Sequence, residues 1–276
     1  MTLVVQGLDV DTVALKSLAR LTAATAIEQI HPQAFRLVGA RHDAGVPTLC
    51  AQAGLDWAWV DSSRKLNDFG LFVTDMDSTL INIECIDEIA DMQGLKTEVA
   101  EITEAAMRGE IDFRESLSRR VALLAGLPEQ ALEAVYTQRL QLNPGAERLM
   151  RGLQAAGIRT MLVSGGFTYF TRRLQHTLGF DEAWANELEI VDGRLTGRVI
   201  GDIVDGQAKA EHLQRYRDQL GLQPAQVICA GDGANDIPMF RAAGFGVAYR
   251  AKPILREEAD CCLNHVGLDG ILTLFG

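Results

Sequence analysis

The chain is short of basic residues and of histidine, and it has no long apolar run. Lysine and arginine total 26 against 37 acids, giving a formal net charge of -11 and an isoelectric point near 4.9. Nucleic acids and anionic membrane surfaces need a basic footprint, so neither is expected as a partner. No segment approaches the roughly 18 consecutive apolar residues that a spanning helix requires. The opening residues MTLVVQGLDVDTVALK carry acids where an export signal would carry bases, so a cytoplasmic protein is expected. The five cysteines, Cys50, Cys85, Cys229, Cys261 and Cys262, form no Cys-x-x-Cys pair and read as reduced core thiols. The five histidines, His31, His42, His176, His212 and His265, lie without ligand spacing, which disfavours a zinc site or a histidine-based triad. What remains for chemistry is carboxylates acting on a small-molecule substrate.

With 276 residues, 47% hydrophobic and only 7 prolines, the sequence suits one large α/β domain plus an appendage. Residues 1–66 alternate the short apolar runs LVVQG, AFRLVGA and LDWAWV with an apolar-periodic stretch from Val13 to Ile30. They read as a small N-terminal α+β domain, regulatory or dimerising and ACT-like in outline, which leaves a homodimer open. The polar stretch Asp61–Lys65 reads as a linker. Residues 67–276 read as a doubly wound, mostly parallel α/β sheet with strands at LFVT, IRTMLV, QVICA, FGVA and DCCLN. A four-helix cap is inserted at about 85–142, its segments separated by Gly94, Gly109 and Gly126, and Asp192-Gly193 marks a hairpin.

The segment Asp75-Met-Asp77-Ser-Thr follows the LFVT strand, so both carboxylates stand at the carboxyl end of a parallel strand, where such sheets place ligands. Two such acids can bind one Mg²⁺, and the like-charge pair can hold one carboxyl protonated, so that one attacks and the other donates a proton. Alone, Asp-x-Asp is also a common turn cap. An EF-hand reading fails, because Leu80 and Ile86 occupy the positions that need glycine and glutamate, and Ile237 does the same for a loop starting at Asp232. Val163-Ser164-Gly165-Gly166, again after a strand, offers a hydroxyl and bare N–H groups to an anion such as phosphate. Ser164 is not a hydrolase nucleophile, since Leu162 stands where the nucleophile elbow needs glycine. Lys209 opens a helix after Asp205-Gly206 and can neutralise phosphoryl charge. Gly231-Asp232-Gly233-Ala234-Asn235-Asp236 offers tight backbone and oxygen ligands for a hard cation, and breaks the dinucleotide fingerprint at Asp236.

The order DMDST, VSGG, Lys209, GDGAND resembles the haloacid dehalogenase-like phosphatases, from about Leu71 to the C-terminus. The likeness extends to DMDSTLINIECIDEIA and, inside the cap, DFRESLSRRVALL. The resemblance implies Asp75 as nucleophile, Asp77 as the acid and then the base, and Mg²⁺ on the Asp75 carboxylate, the Asp77 backbone carbonyl and Asp232. It further implies Asp236 as support, Ser164, Gly165 and Lys209 on the phosphoryl oxygens, and no organic cofactor. Glu84 and Arg120, with Asn235 nearby, match positions that hold the ammonium and carboxylate of O-phospho-L-serine. A carboxylate plus a bidentate guanidinium is what a zwitterionic amino acid needs. The expected reaction is hydrolysis of that phosphoester to L-serine and phosphate, the last step of serine synthesis. Transfer of the phosphoryl group to another alcohol is a close rival. A catalytically inactive amino-acid sensor is disfavoured, because each catalytic position holds a competent residue.

Overall fold

The computed structural model describes residues 1–275. Its N-terminal part runs β1 (Thr2–Gln6), α1 (Thr12–Leu21), β2 (Ala26–His31), β3 (Ala34–Val38), α2 (Val46–Ala53) and β4 (Asp56–Val60). These strands lie in the antiparallel order β2-β3-β1-β4, a split βαββαβ arrangement. Period-2 burial explains how β1 serves two cores. Leu3 and Val5 pack with Leu15, Leu18, Val46 and Cys50 under α1 and α2, while Val4 faces the larger core on the other side.

The apolar-periodic stretch from Val13 to Ile30 is not one helix. The helix stops at Leu21, where Ala23 turns left-handed at φ 50° and the Thr22 hydroxyl donates to the Leu18 carbonyl. The residues beyond form β2, an edge strand whose Ile27 is 42% exposed, so their apolar spacing serves no buried helix face.

The remainder runs β5 (Leu71–Thr74), the cap helices α3 (Cys85–Met92), α4 (Lys96–Met107), α5 (Phe113–Leu123) and α6 (Gln130–Gln138), then α7 (Ala146–Ala155), β6 (Arg159–Phe167) and α8 (Thr168–Leu178). There follow β7 (Glu182–Val191), β8 (Arg194–Ile200), α9 (Gly206–Gln219), β9 (Val227–Gly231), α10 (Ile237–Ala242), β10 (Phe245–Tyr249), α11 (Pro253–Arg256), β11 (Cys261–Leu263) and α12 (Gly270–Phe275). Strands β11-β10-β9-β5-β6-β7 are parallel, with β8 added antiparallel at one edge. Asp192 and Gly193, both left-handed, make the tight turn of the β7–β8 hairpin. At the other end β4 pairs antiparallel with β11, so all the strands form one 11-stranded sheet.

Leu71 and Val73 face a core closed by α9 and α10, and Phe72 faces the core shared with α7, α8, α12 and the cap. From β5 the chain moves outward to β6 and β7, then returns to β9 on the other side. This reversal leaves a crevice at the carboxyl ends of β5 and β9, where an open α/β sheet binds its ligand. All five cysteines are free. Among the described residues no helix is long and apolar enough to cross a membrane.

Candidate active site

Asp75 leaves the end of β5 with its N–H donating to the Ala230 carbonyl of β9 at 3.0 Å, which fixes its backbone beside the second loop of the site. Its Oδ1 accepts from the Met76 N–H at 2.7 Å, and its Oδ2 lies 2.8 Å from the Lys209 ammonium. The following turn is tight: Ile81 N–H reaches back to the Met76 carbonyl, and Ser78 takes a left-handed φ of 58°. For a serine this conformation is uncommon, and it is held by the Ser78 N–H on the Ile83 carbonyl and the Ser78 hydroxyl on Glu84 Oε1 at 2.8 Å. The turn thereby brings Asp77 over the crevice and links it to the first residue before α3. The Asn143 side-chain amide, on the segment returning from the cap, donates to the Thr79 and Ile81 carbonyls at 2.8 and 2.9 Å.

Asp77 Oδ2 accepts from the Cys85 N–H at 3.3 Å, and its Oδ1 is buried with no partner among the described residues. Burial first, then the charges of Glu84 and Asp75, hold this carboxyl well above the ordinary carboxylate range. Its protonated form is thereby favoured.

Lys209 is entirely buried on the first turn of α9, with Asp75 Oδ2 and Asp236 Oδ1 each at 2.8 Å. Burial pulls its pKa down, but the charges of Asp236 and Asp75 more than offset it, so the ammonium stays charged. Asp75 is raised by its own burial against the pull of Lys209, with Asp236 and Asp232 adding to the rise. Asp232 is pushed up to about 6, first by burial and then by Asp236 and Glu84. One lysine thus does not balance the acids gathered here.

Carboxylate oxygens of Asp75, Asp232 and Asp236 lie within 4.8 Å of one another, all buried, which makes the group a candidate metal site. Their hydrogen bonds distinguish them. Asp236 Oδ1 takes the Lys209 ammonium and its Oδ2 takes the N–H groups of Asp232 and Gly233, at 3.1 and 3.2 Å, so both oxygens are engaged. Among the described residues the Asp232 carboxylate takes only a long contact from the Thr79 hydroxyl, at 3.4 Å. Gly231 is required beside this group, since a Cβ there would lie 2.4 Å from Asp236 Oδ2.

Ser164 and Gly165 stand near the end of β6, with the Gly166 N–H donating to the Ser164 hydroxyl at 2.9 Å. The Asn186 side chain, 1% exposed, anchors this turn by donating to the Gly165 carbonyl and accepting from the Val204 N–H, both at 2.8 Å. Phe113 of the cap packs so closely on Gly165 that an added Cβ would meet its ring at 2.9 Å.

A cavity of about 950 Å³ lies between this floor and the cap. Asp75, Asp77, Ser164, Gly165, Asp232 and Asn235 line it from below, and Glu84 and Arg120 from above. Lys209 and Asp236 stand behind the floor. The sequence reading missed Asp87, Phe113, Lys252 and the anchoring Asn186. Asp87 had a readable signal, an acid in the first turn of the helix that Glu84 caps; a lone asparagine in a strand and a lysine in a loop had none.

The haloacid dehalogenase-like hydrolase model matches residues 72–241, and a domain of unknown function (DUF4072) matches residues 3–45. A phosphoserine phosphatase of Polaromonas sp. is 55% identical over 76% of this chain and 91% of its own length. A haloacid dehalogenase-family hydrolase of Salmonella enterica serovar Typhi superposes with a TM-score of 0.91 at 30% identity, covering 99% of this chain and 97% of its own. A probable phosphoserine phosphatase of Vibrio cholerae gives 0.87 at 37% identity, covering 99% and 86%. With the motif loops at the strand ends, a sheet and cap of this plan, and a family match over more than half the sequence, the chain belongs to the haloacid dehalogenase-like hydrolases.

Proposed function

We propose that the chain hydrolyses O-phospho-L-serine to L-serine and phosphate through a phosphorylated Asp75, as the last step of serine synthesis. The observation that carries this reading is one cavity with two unlike walls. The floor holds Asp75 on the Lys209 ammonium beside Asp77, and the roof holds one carboxylate, Glu84, and one guanidinium, Arg120. The floor suits phosphoryl chemistry and the roof suits a zwitterion. Phosphoserine phosphatases among the relatives support the same substrate.

In the first displacement an Asp75 carboxylate oxygen bonds to phosphorus as the ester P–O bond breaks, and the Asp77 proton passes to the departing serine oxygen. In the second, Asp77 takes a proton from water as the water oxygen bonds to phosphorus and the bond to Asp75 breaks. Phosphate leaves, Asp75 is again a carboxylate, and Asp77 is again protonated. Ser164, Gly165 and Lys209 hold the phosphoryl oxygens throughout, with Asn235 at their side. The uncompensated acids on the floor fit a hard divalent cation, which we assign as Mg²⁺ on Asp75, Asp232 and the Asp77 backbone carbonyl. When bound it would neutralise charge on the phosphoryl oxygens. Asp236, with both oxygens engaged, supports Lys209 and the loop instead.

The split βαββαβ arrangement supports reading residues 1–66 as a small regulatory or dimerising unit beside a catalytic unit of 67–276 capped at about 85–142. Phosphate release from O-phospho-L-serine, with and without Mg²⁺ and beside phosphothreonine, glycerol phosphate and a phosphosugar, tests the substrate. Strong preference for phosphoserine is expected. Equal turnover of all four would remove the substrate assignment and leave the aspartyl-phosphate chemistry.

A further inference from the structure

Glu84 caps α3 and Asp87 stands in the first turn of the same helix, its N–H donating to the Glu84 carbonyl at 3.1 Å. Both side chains line the cavity roof with Arg120. Their hydrogen-bonding states differ. Glu84 has already given Oε1 to the Ser78 hydroxyl at 2.8 Å. Asp87 Oδ1 is buried and has no partner among the described residues. Arg120 makes a single long contact, from Nε to the Ser116 carbonyl at 3.4 Å, and neither Nη is engaged among the described residues. The cations that act on Asp87 through space are Arg120, Lys96 and Lys252, yet none stands within the 4.0 Å of an ion pair, and Lys96 is bound to Asp91 at 3.4 Å.

A buried carboxylate oxygen without a donor is costly, and the cost is removed by a ligand that brings N–H groups. The site as read so far asks Glu84 alone to hold an ammonium with three donors, although one of its oxygens is spent on Ser78. We propose that Asp87 is a specificity-determining residue that accepts from the α-ammonium of the substrate together with the remaining oxygen of Glu84, leaving both Nη groups of Arg120 to the α-carboxylate. The proposal rests on the amino-acid phosphate reading and deepens it. It makes rejection of substrates lacking the ammonium active, because the buried Asp87 oxygen would otherwise remain without a donor and Glu84 would keep only its Ser78 contact.

The test compares O-phospho-L-serine with 3-phosphoglycerate, which has the same phosphate and carboxylate and a hydroxyl in place of the ammonium. Turnover, or competitive inhibition for a poor substrate, is measured for the full-length chain and for Asp87→Asn, which keeps shape and removes charge; thermal midpoints confirm that both are folded. The expected result is a loss of about tenfold or more in kcat/KM for phosphoserine, borne mainly by KM, with 3-phosphoglycerate held as well as before or better, so that the selectivity ratio falls. Equal losses for both ligands would mean that Asp87 only orients Arg120, and unchanged values for both would mean that it faces water; either overturns the proposal. Failure of the substrate reading itself is recognised separately, as an unmutated protein with no preference for phosphoserine.

Discussion

Lys209 has no exposure and two carboxylates at 2.8 Å, and the sharing of that ammonium sets what each acid is worth. Asp236 holds three donors, the ammonium and two backbone N–H groups, whereas Asp75 holds the ammonium and the Met76 N–H. Removing one partner of a buried pair typically costs about 3–5 kcal/mol. Asp236→Ala is therefore expected to destabilise by about that amount in urea unfolding, and Asp75→Asn by clearly less, since its amide still reaches Lys209. Turnover should respond in the opposite sense, with Asp75→Asn inactive in single-turnover phosphate release; substantial activity in that variant would remove Asp75 as nucleophile. Asp75, Asp77 and Asp232 were legible as crevice residues because each follows a strand, and Ser164 because it stands near a strand's end, and each carries chemistry in its own side chain. Asn186 was not, because its importance lies in a partner 21 residues away; the helix position of Asp87 was readable, but not that one of its buried oxygens has no partner among the described residues.

At the scale of elements, α9 delivers Lys209 and is itself fixed at its first turn. Asp205 caps it by accepting from the Ala208 N–H at 2.9 Å, and the same carboxylate takes Arg114 of α5 at 2.6 Å. Burial alone would raise Asp205, but the Ala208 N–H and Arg114 outweigh it and lower the carboxyl below its usual value. A carboxylate lowered in the folded state stabilises above its unfolded pKa and loses that contribution as pH falls through the folded one. Asp205→Ala is thus expected to lower stability by roughly 1 kcal/mol at pH 7, mostly as a lost cap, and the gap to the unmutated chain should close in acid below about pH 4. A gap that persists unchanged at pH 3 in thermal melts would contradict the assignment. The cap helices were legible from their spacing and the glycines between them. The break inside the apolar-periodic stretch from Val13 to Ile30 was not, because alanine-rich composition cannot reveal that Ala23 turns left-handed and that the next residues pair with β3.

Across the whole molecule, the seam between β4 and β11 carries more than sheet pairing. Asp56 accepts the N–H groups of Asn264, His265 and Val266 at 2.8–3.0 Å, and β4 covers what would otherwise be an open sheet edge. Deleting residues 1–66 is expected to lower the melting temperature and to promote association through the bared β11, without displacing any group on the cavity floor. Light scattering and a thermal scan would show it; an unchanged, monodisperse truncated chain would show the seam to be dispensable. Alternating apolar runs announced the strands on both sides of this seam. Their union in one sheet was beyond pattern reading, because an antiparallel contact between segments some 200 residues apart leaves no local periodicity.

The amides of Asp232 and Gly233 end on a carboxylate that sees no water, although they belong to a loop. In deuterated solvent such protons are released only when the surrounding fold opens, whereas α4, in which Val99 is buried and most other described residues are partly or fully exposed, should label early. An exchange map would then separate a floor loop labelling on the timescale of global unfolding from one cap helix labelling well before it, so that the floor sits in the most persistent part of the protein beneath a cover with one early-opening helix.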